Sequence, residues 1–151
     1  MAVPTWPGKA LKVLLPVTGL LLVVQYIAGL WTNAYAPAGG FSSNSSFPAL
    51  DLHWTLGQVL GVLSIILVVV ALFSRRVDFV VPAIVILASV IVAGLAGMAF
   101  VSSSPNPPSA TVEMGVAFLV AFATTVSFGM RLRWVPSSTP PAVPGTTASS
   151  A

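Results

Sequence analysis

Four stretches of this chain are almost free of charge, and short polar segments part them. They run from Leu11 to Trp31, His53 to Phe73, Phe79 to Val101 and Ala110 to Met130. Each has about the 20 residues that carry a helix across a hydrocarbon core. None alternates apolar and polar positions, as a lipid-facing barrel strand would. In lipid, a helix satisfies its own backbone hydrogen bonds, so four transmembrane helices are predicted. The third carries Pro82 in its predicted first turn, where a missing N–H does no harm.

The separating segments 32–51 (TNAYAPAGGFSSNSSFPALD), 74–78 (SRRVD) and 102–109 (SSSPNPPS) are rich in turn-forming residues. They are too short to hide another element, so neighbouring helices should run antiparallel. The expected fold is all-α: an up-down-up-down four-helix transmembrane bundle over residues 1–134. From Val135 onward the chain is mainly Pro, Ser, Thr and Ala, and 135–151 is expected to be a disordered tail. Lys9 and Lys12 ahead of the first run, with Ala34-Tyr35-Ala36 behind it, raise the question of a signal peptide. The run is longer than the 7–15 residues of a usual apolar region, and Pro37 would follow the cut. The first helix is read as uncleaved.

Composition agrees with this reading. Of 151 residues 56% are hydrophobic and 6% charged, where a soluble domain carries about 25% charged residues. The net charge of +3 comes from Lys9, Lys12, Arg75, Arg76, Arg131 and Arg133 against Asp51, Asp78 and Glu113. The cations form three separate pairs at the ends of apolar runs and make no patch for nucleic acid. All three pairs fall on one side of a four-crossing chain. The positive-inside bias then predicts a multi-pass protein of the plasma (cell) membrane with both termini cytoplasmic. Trp31, Tyr35 and Trp54 would mark the outer interface, and Trp6 and Trp134 the inner one. With no cysteine, thiol catalysis, disulfides, iron–sulfur clusters and thiolate metal sites are excluded.

In lipid, helices associate through small residues and a few polar contacts. His53, Gly57, Gly61 and Ser64 share one face of the second helix. Ser89, Ala93 and Gly97 form a ridge on the third, and Ala117, Ala121 and Thr124 or Thr125 one on the fourth. Thr18, Gln25, Gly29 and Asn33 form a stripe on the first. The expected packing positions are Gln25, Gly29, Gly57, Gly61, Ala93 and Gly97, with the Gln25 amide bonded to another helix. A slot beneath His53 for a flat cofactor is the functional alternative.

His53 is the sole histidine, and at its expected depth lie Asn33, Tyr35, Asp51 and Glu113, an outer polar cluster. Ionisable groups within membranes are candidates for function. Asp51 and Glu113 also suit helix N-termini electrostatically, so capping and anchoring is the plainer reading. Haem iron accepts His and Met ligands, which makes His53, Gly57, Met98 and Met114 the candidate cofactor positions. No ligand set at metal spacing, catalytic triad or phosphate loop is present, so catalysis is not expected. Asn44-Ser45-Ser46 is an N-x-S sequon in the predicted outer loop.

Through Gln25–Tyr35 (QYIAGLWTNAY) and His53–Gly61 (HWTLGQVLG) the chain resembles small four-helix proteins related to one half of haem A synthase. The resemblance covers the first two helices. It implies His53 as an axial ligand and Gly57 as the residue that leaves room for the ring. That family carries histidines on more than one helix, whereas the fourth helix here has Glu113 and Met114.

The leading expectation is a non-enzymatic membrane protein, an accessory or assembly subunit whose partners are the bilayer and other membrane subunits or a second copy. A haem-associated redox protein built on His53 is the first alternative, and a small oligomeric transporter the second. Against the transporter, no span has an ionisable group near its middle, where coupling sites lie.

Overall fold

The structure is a computed structural model that describes residues 6–35, 48–103 and 107–133. Among them it contains four α-helices and no strand: α1 Trp6–Ala34, α2 Pro48–Phe73, α3 Val77–Ser102 and α4 Pro108–Arg133. All four are long and apolar enough to cross a membrane, consistent with a multi-pass membrane protein. The predicted tail 135–151, Trp134 and the sequon at Asn44 lie outside the described residues.

Every helix extends beyond its apolar run. Proline suits three of the earlier starts. Pro48 and Pro108 are the first residues of α2 and α4, where the fixed φ suits a helix and the missing N–H has no partner to lose. Pro7 plays the same part in the first turn of α1. The earlier start of α3 moves Pro82 out of the first turn, correcting the expectation above. Arg76 is the N-cap of α3, and the N–H groups of Phe79 and Val80 both reach its carbonyl, at 3.0 and 3.2 Å. Pro82 therefore lies inside α3 and leaves the Asp78 carbonyl without its helical donor.

Each helix buries one stripe, spaced three and four residues apart. On α1 it passes through Leu11, Leu15, Thr18 and Leu22, and on α2 through Leu60, Ser64, Leu67 and Ala71. On α3 it includes Phe79, Ala83, Ile86 and Ser89, and on α4 Ala117, Ala121, Thr125 and Phe128. Such spacing keeps a stripe on one side of a helix. The helices pack in cyclic order, α1 against α2 and α4, and α3 against α2 and α4. Among the described residues the diagonal pairs α1/α3 and α2/α4 bring no two Cα atoms within 8 Å of each other.

The contacts pair the beginning of one helix with the end of the next. Trp6 of α1 meets Phe73 of α2 with ring centroids 5.7 Å apart, and Phe79 of α3 meets Phe128 of α4 at 5.6 Å. Around Phe79 and Phe128 the largest apolar cluster gathers Leu11, Leu15, Leu67, Ile86 and Leu132. Leu22, Leu60 and Ala121 make a second, smaller cluster.

Four of the hydroxyls buried within the helices are satisfied locally. Thr18, Thr32 and Thr125 donate to the carbonyls of Leu14, Ala28 and Ala121, each four residues back, and Ser64 donates to Gly61 three back. These bonds let polar side chains sit among apolar ones without an unpaired donor. The surface facing away from the stripes is apolar: Leu20, Val62, Leu95 and Leu119 are all more than half exposed.

The α2–α3 turn is tight. Arg75 adopts φ 53°, the left-handed conformation with which helices commonly end. The Ser74 hydroxyl donates to the Ala71 carbonyl and accepts the Arg76 N–H at 3.3 Å.

Candidate functional site

The one side-chain-to-side-chain hydrogen bond between helices, among the described residues, joins Gln25 of α1 to His53 of α2. The Gln25 Nε2 lies 3.4 Å from His53 Nε2, and His53 Nδ1 lies 3.3 Å from the Gln25 backbone carbonyl. An amide nitrogen only donates and a carbonyl only accepts. The pattern therefore corresponds to a neutral imidazole with its proton on Nδ1. That proton goes to the Gln25 carbonyl, and the Nε2 lone pair receives the Gln25 amide. One residue of α1 thus holds the ring through its backbone and its side chain together.

Two glycines let this happen. A Cβ on Gly29, one turn after Gln25, would stand 3.0 Å from His53 Cε1 and 3.3 Å from Nδ1. The imidazole fills the space a side chain there would need. A Cβ on Gly57, one turn after His53, would stand 3.4 Å from Gln25 Nε2, so the amide fills the second space. The clasp is reciprocal: α1 provides Gln25 and Gly29, and α2 provides His53 and Gly57.

The pair is incompletely satisfied. Gln25 Oε1 is buried and has no hydrogen-bond partner among the described residues. An unpaired buried amide oxygen is costly.

The other sequence-predicted positions differ in exposure and surroundings. Asn33, Tyr35, Asp51 and Glu113 are exposed while His53 is half-buried and turned to α1. Glu113 and Met114 belong to α4, none of whose described Cα atoms comes within 8 Å of a described Cα of α2. Met98 is 46% exposed on α3, and the Met114 sulfur faces Gly97, 3.6 Å from where its Cβ would stand. Gly61 has open space around its missing side chain, and Ala93 is half-buried. Among the described residues no three His, Cys, Asp or Glu side chains gather into a metal-binding group.

Haem can be tested against this geometry. The bond from Nδ1 to a carbonyl is the kind that orients a ligating histidine. The position opposite Nε2, however, holds the Gln25 amide, and Gly57 borders that amide rather than an open slot. A ring could reach Nε2 only after Gln25 had vacated the position, so the residues as arranged do not fit haem.

Sequence reasoning passed over one residue, Gln58, a second amide within a span, exposed on α2. Its signal was present: an amide side chain inside a long uncharged run. No family model matches the chain, and neither the curated proteins nor the solved structures hold a match to it.

Proposed function

We propose that this chain is a non-enzymatic integral membrane protein serving as an accessory or assembly subunit within a larger membrane complex. The reading places it in the cell membrane as an up-down-up-down bundle with both termini in the cytoplasm. The start-to-end helix contacts support that threading, and the grouping of Lys and Arg beside the same helix ends supports the orientation. The observation that carries the role is how the polar groups inside the spans are employed. His53 and Gln25 bind each other, the hydroxyls of Thr18, Thr32, Ser64 and Thr125 bind their own helices, and large apolar side chains face outward. The sole histidine acts as a fastener between α1 and α2.

Two measurements test it together. Reporter tags at the two ends should both register the cytoplasm, and gentle solubilisation should release a species larger than one chain. Tags in opposite compartments, or a lone monomer that recruits nothing, would overturn the reading.

A second reading, in which His53 is an axial ligand of haem, draws support from the Nδ1–carbonyl bond. It requires the Gln25 side chain to leave Nε2. Haem-reconstituted protein with no Soret band, or with one indifferent to His53→Ala, would end this reading.

A further inference from the structure

We infer that this chain forms a parallel dimer about a two-fold axis along the membrane normal, with α2 packed on α2 of a second copy and Gln58 hydrogen-bonded to Gln58. The inference rests on the membrane reading and names one partner within the proposed assembly.

It begins from depth. The 26 residues of α2 measure about 39 Å at the usual helical rise. Gln58 lies ten residues in from Pro48, or about 15 Å from that end of the helix by the same rise. A hydrocarbon core roughly 30 Å thick, centred on α2, would bury Gln58 about 10 Å deep. Its side chain is too short to reach the interface from there. It is nonetheless exposed on the outside of the four-helix unit, and among the described residues its amide has no partner. Hydrocarbon offers none either, so the amide needs a donor and an acceptor from another protein surface.

The surroundings suit a helix. Trp54, Gln58, Gly61 and Ile65 follow at intervals of four, three and four, one face of α2 turned away from the buried stripe. Trp54 is 53% and Ile65 54% exposed. Nothing lies within 4 Å of the place a Gly61 side chain would take, which permits a close backbone approach beside the amide.

Symmetry selects the occupant. All copies insert with the same orientation, because the same cations set it. A two-fold axis along the membrane normal then brings identical residues together at one depth, and the contact must be self-complementary. A primary amide meets that condition, since each copy donates an N–H to the carbonyl of the other. A carboxylate or an ammonium group there would repel its own image.

The test uses full-length protein in phospholipid vesicles. The chain has no cysteine, so single cysteines report contacts without background. Ile65→Cys should form a disulfide-linked dimer on oxidation. Leu119→Cys, 63% exposed on α4, should not. Energy transfer between labelled copies should show association weakened roughly 3- to 20-fold by Gln58→Leu. Gly61→Ile should weaken it too. Both changes stand on open, outward positions, and unchanged helicity would show that folding is intact. Cross-linking at Ile65 no greater than at Leu119, association indifferent to Gln58→Leu, or trapping of Ile65→Cys on a different polypeptide would each overturn the dimer. Release of the chain by alkaline carbonate would overturn the membrane reading as well, whereas a membrane-retained monomer removes the dimer alone.

Discussion

The imidazole of His53 lies where a side chain on Gly29 would be, with Cε1 3.0 Å from the position of the missing Cβ. That contact sets how closely α1 and α2 approach near Gln25. Gly29→Ala forces the ring to move, and movement of even a few tenths of an ångström lengthens two hydrogen bonds that already measure 3.3 and 3.4 Å. The expected loss of stability is about 1–3 kcal/mol, the usual range for overpacking. Gly29→Val should cost more. Reversible unfolding in mixed detergent and SDS measures both, and an alanine variant as stable as the parent would show that His53 does not depend on this glycine.

Gly97 and Gly19 give the opposite expectation. A Cβ on Gly97 would meet the Met114 sulfur at 3.6 Å, and one on Gly19 would meet Thr125 Cγ2 at 3.7 Å, both ordinary contacts. Alanine there adds packing without displacing a neighbour and reduces the freedom of the unfolded chain. Each substitution should raise stability by about 0.4–1 kcal/mol. Melting curves of Gly97→Ala and Gly19→Ala beside Gly29→Ala would show the difference in sign.

The contrast among these glycines marks where the sequence stops being informative. The spans were legible because lipid demands long apolar runs, and the basic pairs were legible as charges at their ends. The starts of α2 and α4 were not, because Pro48 and Pro108 stand in segments that read as loop, although proline is at home in a first helical position. Gln25, Gly29, His53 and Gly57 could each be placed on a helix face from spacing alone. Which face meets which depends on the order of the helices around the unit, and the periodicity of one helix carries no information about that. Hence Glu113 and Met114 could be grouped with His53 by depth, although α4 lies diagonally across from α2, with no described Cα pair within 8 Å. Gln58 lies off the ridges of small residues that mark the packed faces, on the exposed side of α2.

The unpaired Gln25 Oε1 makes the clasp suited to a double-mutant cycle. Gln25→Leu removes the donor to His53 Nε2 but also removes a buried acceptor that has no partner. His53→Leu leaves both the Gln25 amide nitrogen and the Gln25 backbone carbonyl without the imidazole. Each single change should destabilise, and the double change should cost less than the sum, since apolar side chains then meet across the interface. A coupling of about 0.6–1.7 kcal/mol is expected for an interhelical polar pair in a membrane protein. Strict additivity of the two losses would mean that the pair is a neighbourly contact with no energetic link.

Phe128 offers a test of the bilayer as solvent. Its ring is 1% exposed and packs against Phe79 among Leu11, Leu15 and Ile86. In a soluble protein, Phe→Ala at such a position costs about 3–5 kcal/mol, which includes the transfer of the ring out of water. In a membrane the separated helices still hold that ring in hydrocarbon, so the transfer contribution largely cancels. The lost contacts and the cavity remain. Phe128→Ala should therefore cost less, roughly 1–3 kcal/mol, when unfolding is followed in lipid bicelles. A loss at the full soluble value would show that the ring moves from protein to water on unfolding. The surface now assigned to lipid would then need a different explanation.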